Sequence, residues 1–539
     1  MALGKSMTTA LAGVLAHVVT VEANIGVGLP GFHVVGLADT AINESRDRIR
    51  TAVANSHLQW PKTKVVVSMS PASLPKSGSH FDLPVALAVL VAGLKDTGTK
   101  NQQMTGTTGG FNGAGSLNDR EESTGVDPFL RLSRSLVLGE LGLDGSVRPV
   151  AGVIPALLAA RKHGFTTLVI PPGNAAEAAL VPDMNVLVAA TLEDAFGWVR
   201  GTRMLPKAAA VAPGGMRRPE NSGADFADIA GQREAKYAAE VAAAGGHHLL
   251  MIGPPGAGKS MIAARMPSIL PELTTDESVE TTAIHSIAGA PGCVISRAPF
   301  IAPHASITRA ALLGGGSGNP RPGAVSLAHN GVLFLDEASE IGGSVLDCLR
   351  APLEDGAVRL VRARREVIYP ARFQLILAAN PCRCAAEDPT KCRCKPHVRE
   401  NYLRNISGPL RDRLDMTVKV TGDSGLLSAA QEEGSDVIAD RVAAARERAT
   451  YRWRHDGRSE ATNAAVPGSY LRRHRPAEET AMSLLGAYLA DGQLSQRGVD
   501  RALKLSWTLC DLDGAQQPGI DHVARALDLR GAHVLGRET

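Results

Sequence analysis

The run GPPGAGKS, from Gly253 to Ser260, has the residue types and spacing of a phosphate cradle. Gly253, Pro254, Pro255, Gly256, Ala257 and Gly258 make a loop whose glycines let successive backbone N–H groups turn toward phosphate oxygens. The apolar run His248–Ile252 precedes it and a helical stretch, Met261–Ile269, follows, so the loop opens onto the positive end of a helix. Lys259 adds a point charge for the β- and γ-phosphates, and the Ser260 hydroxyl suits Mg2+. A second apolar run, Val332 to Leu335, ends in two adjacent acids. Asp336 is placed to hold the same metal through water, and Glu337 to polarise an attacking water. A third run, Phe373–Ala379, ends in Asn380. This residue either positions the lytic water or forms the turn before Pro381.

Two other clusters carry chemistry of their own. Four of the seven cysteines, Cys382, Cys384, Cys392 and Cys394, fall within thirteen positions. Grouped thiolates of this kind can close a tetrahedral Zn2+ site and staple a loop that lacks a core. The alternative is four reduced thiols in an exposed loop. The segment VRLVRARREVIYPARF reads as two short strands with Arg362, Arg364 and Arg365 near the turn. Val358, Leu360 and Val361 on one arm are expected to pack against Val367, Ile368 and Tyr369 on the other. Arginines at such a tip suit phosphate backbones, unless they only keep the hairpin soluble.

The elements that position these residues follow from the pattern along the chain. At 539 residues, several domains are expected. Residues 1–204 alternate strand-like runs (Val65–Met69, Leu136–Leu138, Leu168–Ile170) with helical ones (Leu83–Leu94, Val153–His163). Within them, residues 96–130 turn to Gly, Thr, Asn and Ser and read as a disordered insertion. An Ala/Pro/Gly-rich stretch, 205–223, reads as a linker. Residues 224–424 show the strand–loop–helix alternation of a parallel α/β sheet, and from 425 to 539 the pattern is helical. Its amphipathic stretches are Val437–Arg454, Ala477–Ala490 and Ser495–Leu512.

Composition narrows the class. Hydrophobic residues make up 44% and charged ones 21%, as in a globular protein, and the net charge is only +3. No run of eighteen apolar residues appears, so no membrane span is expected. The first twenty residues, interrupted by His17, read as opening strands and not as a signal peptide. Clustered cysteines without a disulfide pattern point to a reducing, cytoplasmic setting.

The segments PHASITRAALLGGG (Pro303–Gly316), PGAVSLAHNGVLFLDE (Pro322–Glu337), LRAPLEDG, AANPCRC and SGPLRDRLD resemble the magnesium-chelatase-like AAA+ ATPases, and more narrowly the ComM/YifB family. That resemblance implies an α/β AAA+ P-loop core with a C-terminal helical lid. It also implies ATP hydrolysis with Mg2+, and a homohexameric ring with nucleotide between subunits. Arg413 matches the family's arginine finger, with Arg411 the competing candidate, and Arg497 matches a sensor arginine of the lid. The hairpin lies where related helicases carry a pore loop. Gly139–Gly164 is similar to the Lon-protease (ribosomal S5 domain 2-like) α+β fold. There, Ile154 occupies the position expected for the catalytic lysine, and Asp82 stands where the catalytic helix begins. Without a base neither Ser77 nor Ser79 is activated, and Ser77 reads as a helix cap. The family implies a motor on single-stranded or branched DNA. A chelatase-type remodeller of a metal-inserting enzyme is the alternative, and an unfoldase feeding a protease is disfavoured by the missing lysine. Between Arg350 and Asp415, 14 Lys/Arg face 8 Asp/Glu, which favours nucleic acid.

Overall fold

The structure, a computed structural model, describes residues 2–35, 40–74, 76–101, 127–211, 224–316, 320–362, 365–384, 386, 392–421 and 432–531. The chain forms two compact units. The first comprises Met1–Met216 with Ser278–Val294 and Gly316–Arg321, and the second Arg217–Glu277, Ile295–Gly315 and Pro322–Thr539.

The first unit begins with a long antiparallel hairpin, Ala2–Ala12 paired with Leu15–Gly26. Alternate residues Val19, Val21, Ala23 and Ile25 are buried, the period of two that a strand with one covered face requires. The sheet has seven strands in the order Gly31–Val35, Lys64–Ser70, Leu15–Gly26, Ala2–Ala12, Ser135–Val137, Thr167–Ile170 and Asn185–Val188. Helix Asp82–Asn101 packs on the opening strands, and its residues Val85 to Ala92 are all buried. A helix apolar on every side must be covered on every side. Its backbone approaches the first strand so closely that a Cβ on Gly4 would lie 2.0 Å from the Ala88 carbonyl oxygen. Ile154 lies fully buried in a separate apolar cluster around helix Val153–Lys162.

Three expectations for this unit need revision. Helix Asp82–Asn101 is entered through the 3-10 turn Ser79–Phe81, whose N-cap is Gly78, so Ser77 caps nothing there. Of the expected insertion 96–130, residues up to Asn101 and from Pro128 are helical. Residues 102–126 between them lie outside the described set. Of the expected linker, Leu205 is buried and Ala208–Val211 is helical, while 212–223 lie outside the described residues.

The second unit is built on a five-stranded sheet, every pair parallel, in the order Phe300–Ile301, Val332–Leu335, Gln374–Ala379, Leu249–Ile252, Met416–Lys419. The three long apolar runs are buried at every position, as parallel strands covered on both faces must be. Helices Arg233–Gly245 and Lys259–Ile269 share a core with Ile438, Val442, Ala445, Leu505 and Leu509 of the C-terminal helices. Those helices, Ser435–His455, Glu479–Ala490 and Gln496–Asp513, carry the expected amphipathic stretches. A second cluster, centred on Trp453 and Trp507 in edge-to-face contact, holds them together.

The close approach at Gly4 makes a test of the first unit. Gly4→Ala should cost about 1–3 kcal/mol through strand–helix overlap and lower the thermal midpoint. An unchanged midpoint would mean that helix and strand are not held at this separation.

Candidate active site

The order of the strands brings the sequence motifs together. Gln374–Ala379, which ends at Asn380, lies between Leu249–Ile252, which feeds the cradle, and Val332–Leu335, which ends at Asp336. Because the strands are parallel, all three polar tips emerge at the same carboxyl edge, where open parallel sheets place their ligands. Gly256 and Gly258 take the positive φ values 75° and 85° that bend the loop, and helix Lys259–Ile269 starts immediately after.

The side chains meet there. Lys259 Nζ donates to the carbonyl oxygens of Gly253 and Pro254, both at 2.7 Å, and to Asn380 Oδ1 at 3.1 Å. Burial lowers the Lys259 pKa, opposed by the charges of Asp336 and Glu337. Ser260 Oγ donates to Asp336 Oδ2 at 2.6 Å, so the two expected metal-facing groups are adjacent. Asp336 Oδ1 in turn accepts from the Glu337 N–H at 2.8 Å. Glu337 itself has φ 49°, a left-handed conformation that a non-glycine residue keeps only when its neighbours hold it. Ala338 N–H bonds the Ala378 carbonyl at 2.8 Å, which ties this turn to the strand carrying Asn380.

Arg413 and Arg497 are absent from this edge. Both line a cleft of about 220 Å³ with His248, Glu354, Asp412, Asp415, Arg501 and Lys504. His248 and Asp415 immediately precede the strands Leu249–Ile252 and Met416–Lys419, so the cleft lies at the amino edge of the same sheet. Four strand residues at ~3.3 Å each separate it from the cradle by about 13 Å, too far for an arginine side chain to span. Arg413 pairs with Glu354 and donates to the Pro409 carbonyl at 2.7 Å, while its Nε has no partner among the described residues. Arg411 is tied to the Ile406 carbonyl at 2.9 Å and does not line the cleft.

Sequence reading missed Arg501 and Lys504. Their spacing from Arg497 was the available signal: Arg501 follows at i+4, on the same helical face. Arg501 Nη1 lies 3.1 Å from Asp415 Oδ1. The other Asp415 oxygen accepts from the His248 N–H at 3.2 Å and faces His247 Nδ1 at 3.4 Å. His247 Nε2 continues to Thr508 Oγ1 at 2.7 Å, and Asn463 bridges Thr508 and Asp511. Burial alone would raise the Asp415 pKa. The hydrogen bond from His247 and the His247 and Arg501 charges outweigh it and hold the carboxyl far below the usual range. His248 is buried to a pKa of about 4, and its Nδ1 accepts from the Leu375 N–H, as a neutral ring can.

The four cysteines converge, with their sulfurs all within 4.8 Å of one another. Cys382 lies 3.0 Å from Cys384 and 3.3 Å from Cys392. Thiolates around a tetrahedral zinc at ~2.3 Å stand about 3.8 Å apart, so the set fits a single metal ion. Burial pushes Cys382 up to about 12, whereas the hydrogen bond from Cys382 brings Cys384 down to about 6.

The expected hairpin is present, Ala357–Arg362 paired with Arg365–Pro370. Val358, Leu360, Val367 and Tyr369 are buried as expected, but Val361 and Ile368 face outward. Strand alternation puts odd and even positions on opposite faces, so all six apolar residues cannot share one. Register places Arg362 opposite Arg365 at the turn. Arg364 and the side chains of Arg362 and Arg365 lie outside the described residues.

In the first unit, Ser79 Oγ donates to the Glu140 carboxylate, and Asp82 pairs with Arg48 at 2.6 Å. Burial leads the causes that raise the Asp82 pKa to about 6.

Family models cover most of the chain. Residues 225–425 match "Magnesium chelatase, subunit ChlI", residues 21–131 and 124–174 match "Subunit ChlI of Mg-chelatase", and residues 432–530 match its C-terminal region. An uncharacterised protein of Mycobacterium tuberculosis is 47% identical over 534 residues, 98% of this chain and 99% of the relative. The competence protein ComM of Haemophilus influenzae is 36% identical over 96% of this chain and 95% of its own length. YifB of Escherichia coli is 36% identical over 97% and 96%.

The buried carboxylate yields a test. Asp415→Ala leaves Arg501 and His247 without their acceptor and should cost about 3 kcal/mol of stability in chemical denaturation. Because its pKa falls on folding, the wild-type contribution is full above the usual carboxylate range and is lost as pH drops below it. A variant as stable as wild type at pH 7 would show that the network carries no such load.

Proposed function

We propose a function from one premise: this chain belongs to the magnesium-chelatase-like ComM/YifB family of AAA+ ATPases. The proposed activity is ATP hydrolysis by a homohexameric ring that moves strands of single-stranded or branched DNA. One observation carries the ring. Lys259, Ser260, Asp336 and Asn380 stand at one edge of the sheet, and Arg413 and Arg497 at the other. A nucleotide touching both sets must therefore lie between two chains. The two edges are different surfaces of one molecule, so the contact is head-to-tail and repeats until the ring closes.

In this reading the loop Gly253–Gly258 and Lys259 hold the phosphates of ATP, and Ser260 and Asp336 hold Mg2+, which would supply charge neutralisation at the γ-phosphate. Glu337 accepts a proton from the attacking water, and Asn380 orients that water. Arg413 of a neighbouring copy approaches the γ-phosphate, and Arg497 reads the same nucleotide. The converged cysteines Cys382, Cys384, Cys392 and Cys394 hold structural zinc.

Support for DNA as the substrate is of two kinds: one relative is named a competence protein, and the Arg350–Asp415 segment is basic. The arginines Arg362, Arg364 and Arg365, set by register at a hairpin turn, would meet phosphate backbones, so binding is sequence-independent and salt-sensitive. The first unit is read as a Lon-like fold without peptidase activity, with a buried Ile154 where a lysine base would be needed.

The test is ATP turnover measured with single-stranded, duplex and branched DNA. Wild-type turnover should rise with DNA. Glu337→Gln should keep nucleotide binding and lose about 10²–10⁴-fold in turnover. Replacing Arg362, Arg364 and Arg365 by Ala should spare basal turnover and remove the stimulation. Turnover indifferent to every DNA would favour the chelatase-type remodeller.

A further inference from the structure

The cysteine cluster stands next to the chemistry. Cys382 follows Asn380 by two residues, and its side chain is buried. Two extended residues span at most about 7 Å, so whatever fixes Cys382 also fixes Asn380, which bonds Lys259. From Cys382 to Lys395 the chain has no Leu, Ile, Val, Met, Phe, Tyr or Trp. A segment of that composition offers no large apolar side chain, and metal cross-links supply folding energy in such settings.

The segment leads directly into helix Pro396–Leu403, and residues at and just beyond the end of this helix contact the turn that follows Glu337. Tyr402, 8% exposed, bonds the Glu340 carboxylate through its hydroxyl. Just beyond the helix, Asn405 Nδ2 donates to the Ser339 carbonyl at 2.7 Å. Ser339 and Glu340 close the turn that begins at Glu337, with the Glu340 N–H on the Glu337 carbonyl at 2.7 Å. The left-handed conformation of Glu337 costs roughly 1–3 kcal/mol and persists only where the surroundings over-determine it. Those surroundings are the Ala338–Ala378 bond on one side and Asn405 and Tyr402 on the other.

We propose that the metal held by Cys382, Cys384, Cys392 and Cys394 is the fastener of the hydrolytic turn. It ties the end of the strand carrying Asn380 to the helix whose Tyr402 and flanking Asn405 hold Ser339 and Glu340, and so keeps Glu337 and Asn380 in register with each other. Metal occupancy then governs the hydrolytic step more than nucleotide affinity, because Lys259 keeps two of its three acceptors, the Gly253 and Pro254 carbonyls, within the cradle itself. This rests on the zinc reading above and on Glu337 as the base.

The full-length chain, purified without added metal, is assayed for zinc by elemental analysis. It is then stripped with a thiol-reactive mercurial followed by dithiothreitol and chelator, and reloaded with zinc alone. Three quantities are read at each stage: affinity for a fluorescent ATP analogue, turnover, and hydrogen exchange at the Ala338 and Glu340 amides. The expected result is about one zinc per chain. On stripping, affinity should change by less than about threefold, turnover should fall at least about tenfold, and exchange at both amides should quicken. All three should be restored on reloading. Tyr402→Phe should keep its zinc and its affinity while turnover falls and the same amides loosen. Zinc present, but turnover and exchange unmoved by stripping, overturns the coupling and leaves the zinc reading standing. A chain that neither carries nor takes up zinc overturns the zinc reading itself. Affinity lost in parallel with turnover in both the stripped protein and Tyr402→Phe overturns the separation between hydrolysis and binding.

Discussion

Asp415 holds an arginine of the C-terminal helices, a buried histidine and the backbone N–H just ahead of strand Leu249–Ile252, all with one carboxylate. A charge this deeply buried is tolerable only because both oxygens are engaged and Arg501 is opposite in sign. The consequence is positional. The helix Gln496–Asp513 is fixed at the amino edge of the sheet, through Arg501 and Thr508, and it carries Arg497 there with it. Parallel strands put the phosphate cradle and the acid pair at the opposite edge. On the proposed function, the nucleotide chemistry is thereby divided between two surfaces, and assembly becomes a condition of catalysis.

At the cradle edge the same economy recurs in a smaller space. The strand carrying Asn380 lies between the strand feeding the phosphate loop and the strand ending in the acids, so a shift of that one strand would be felt by Lys259 and by the Glu337 turn together. Glu337 is held off its relaxed backbone conformation by bonds from both sides. In the proposed mechanism, strain of this kind would serve to keep the Glu337 carboxylate aimed at the attacking water.

Much of this was legible in the residues. The cradle, the acid pair and the strand before Asn380 were readable because each motif sat in an apolar run of four or more residues, whose period and length are local properties. The C-terminal helices were readable for the same reason. The hairpin was visible but its faces were not fully resolved, since Val361 and Ile368 look like core residues until register sends them outward. The location of Arg413 and Arg497 at the far edge was not legible at all. It depends on where a helix docks, and that is set by Asp415 and His247, single polar residues with no periodicity to announce them. Arg501 was overlooked for a related reason: its meaning comes from a partner 86 residues away in the sequence. The capping role expected of Ser77 failed because the 3-10 turn Ser79–Phe81, with Gly78 as its N-cap, intervenes before the helix.

The division of the site between two sheet edges is tested most directly by mixing two inactive variants, Lys259→Ala and Arg413→Ala, and measuring ATP turnover against each alone. In a mixed ring some interfaces pair an intact cradle from one copy with an intact arginine from the next. The account predicts that turnover reappears on mixing, rises to a maximum near equal proportions, and is absent for either variant alone. Two outcomes would contradict it: Arg413→Ala hydrolysing ATP normally by itself, or mixtures at every proportion showing no more turnover than the separate variants.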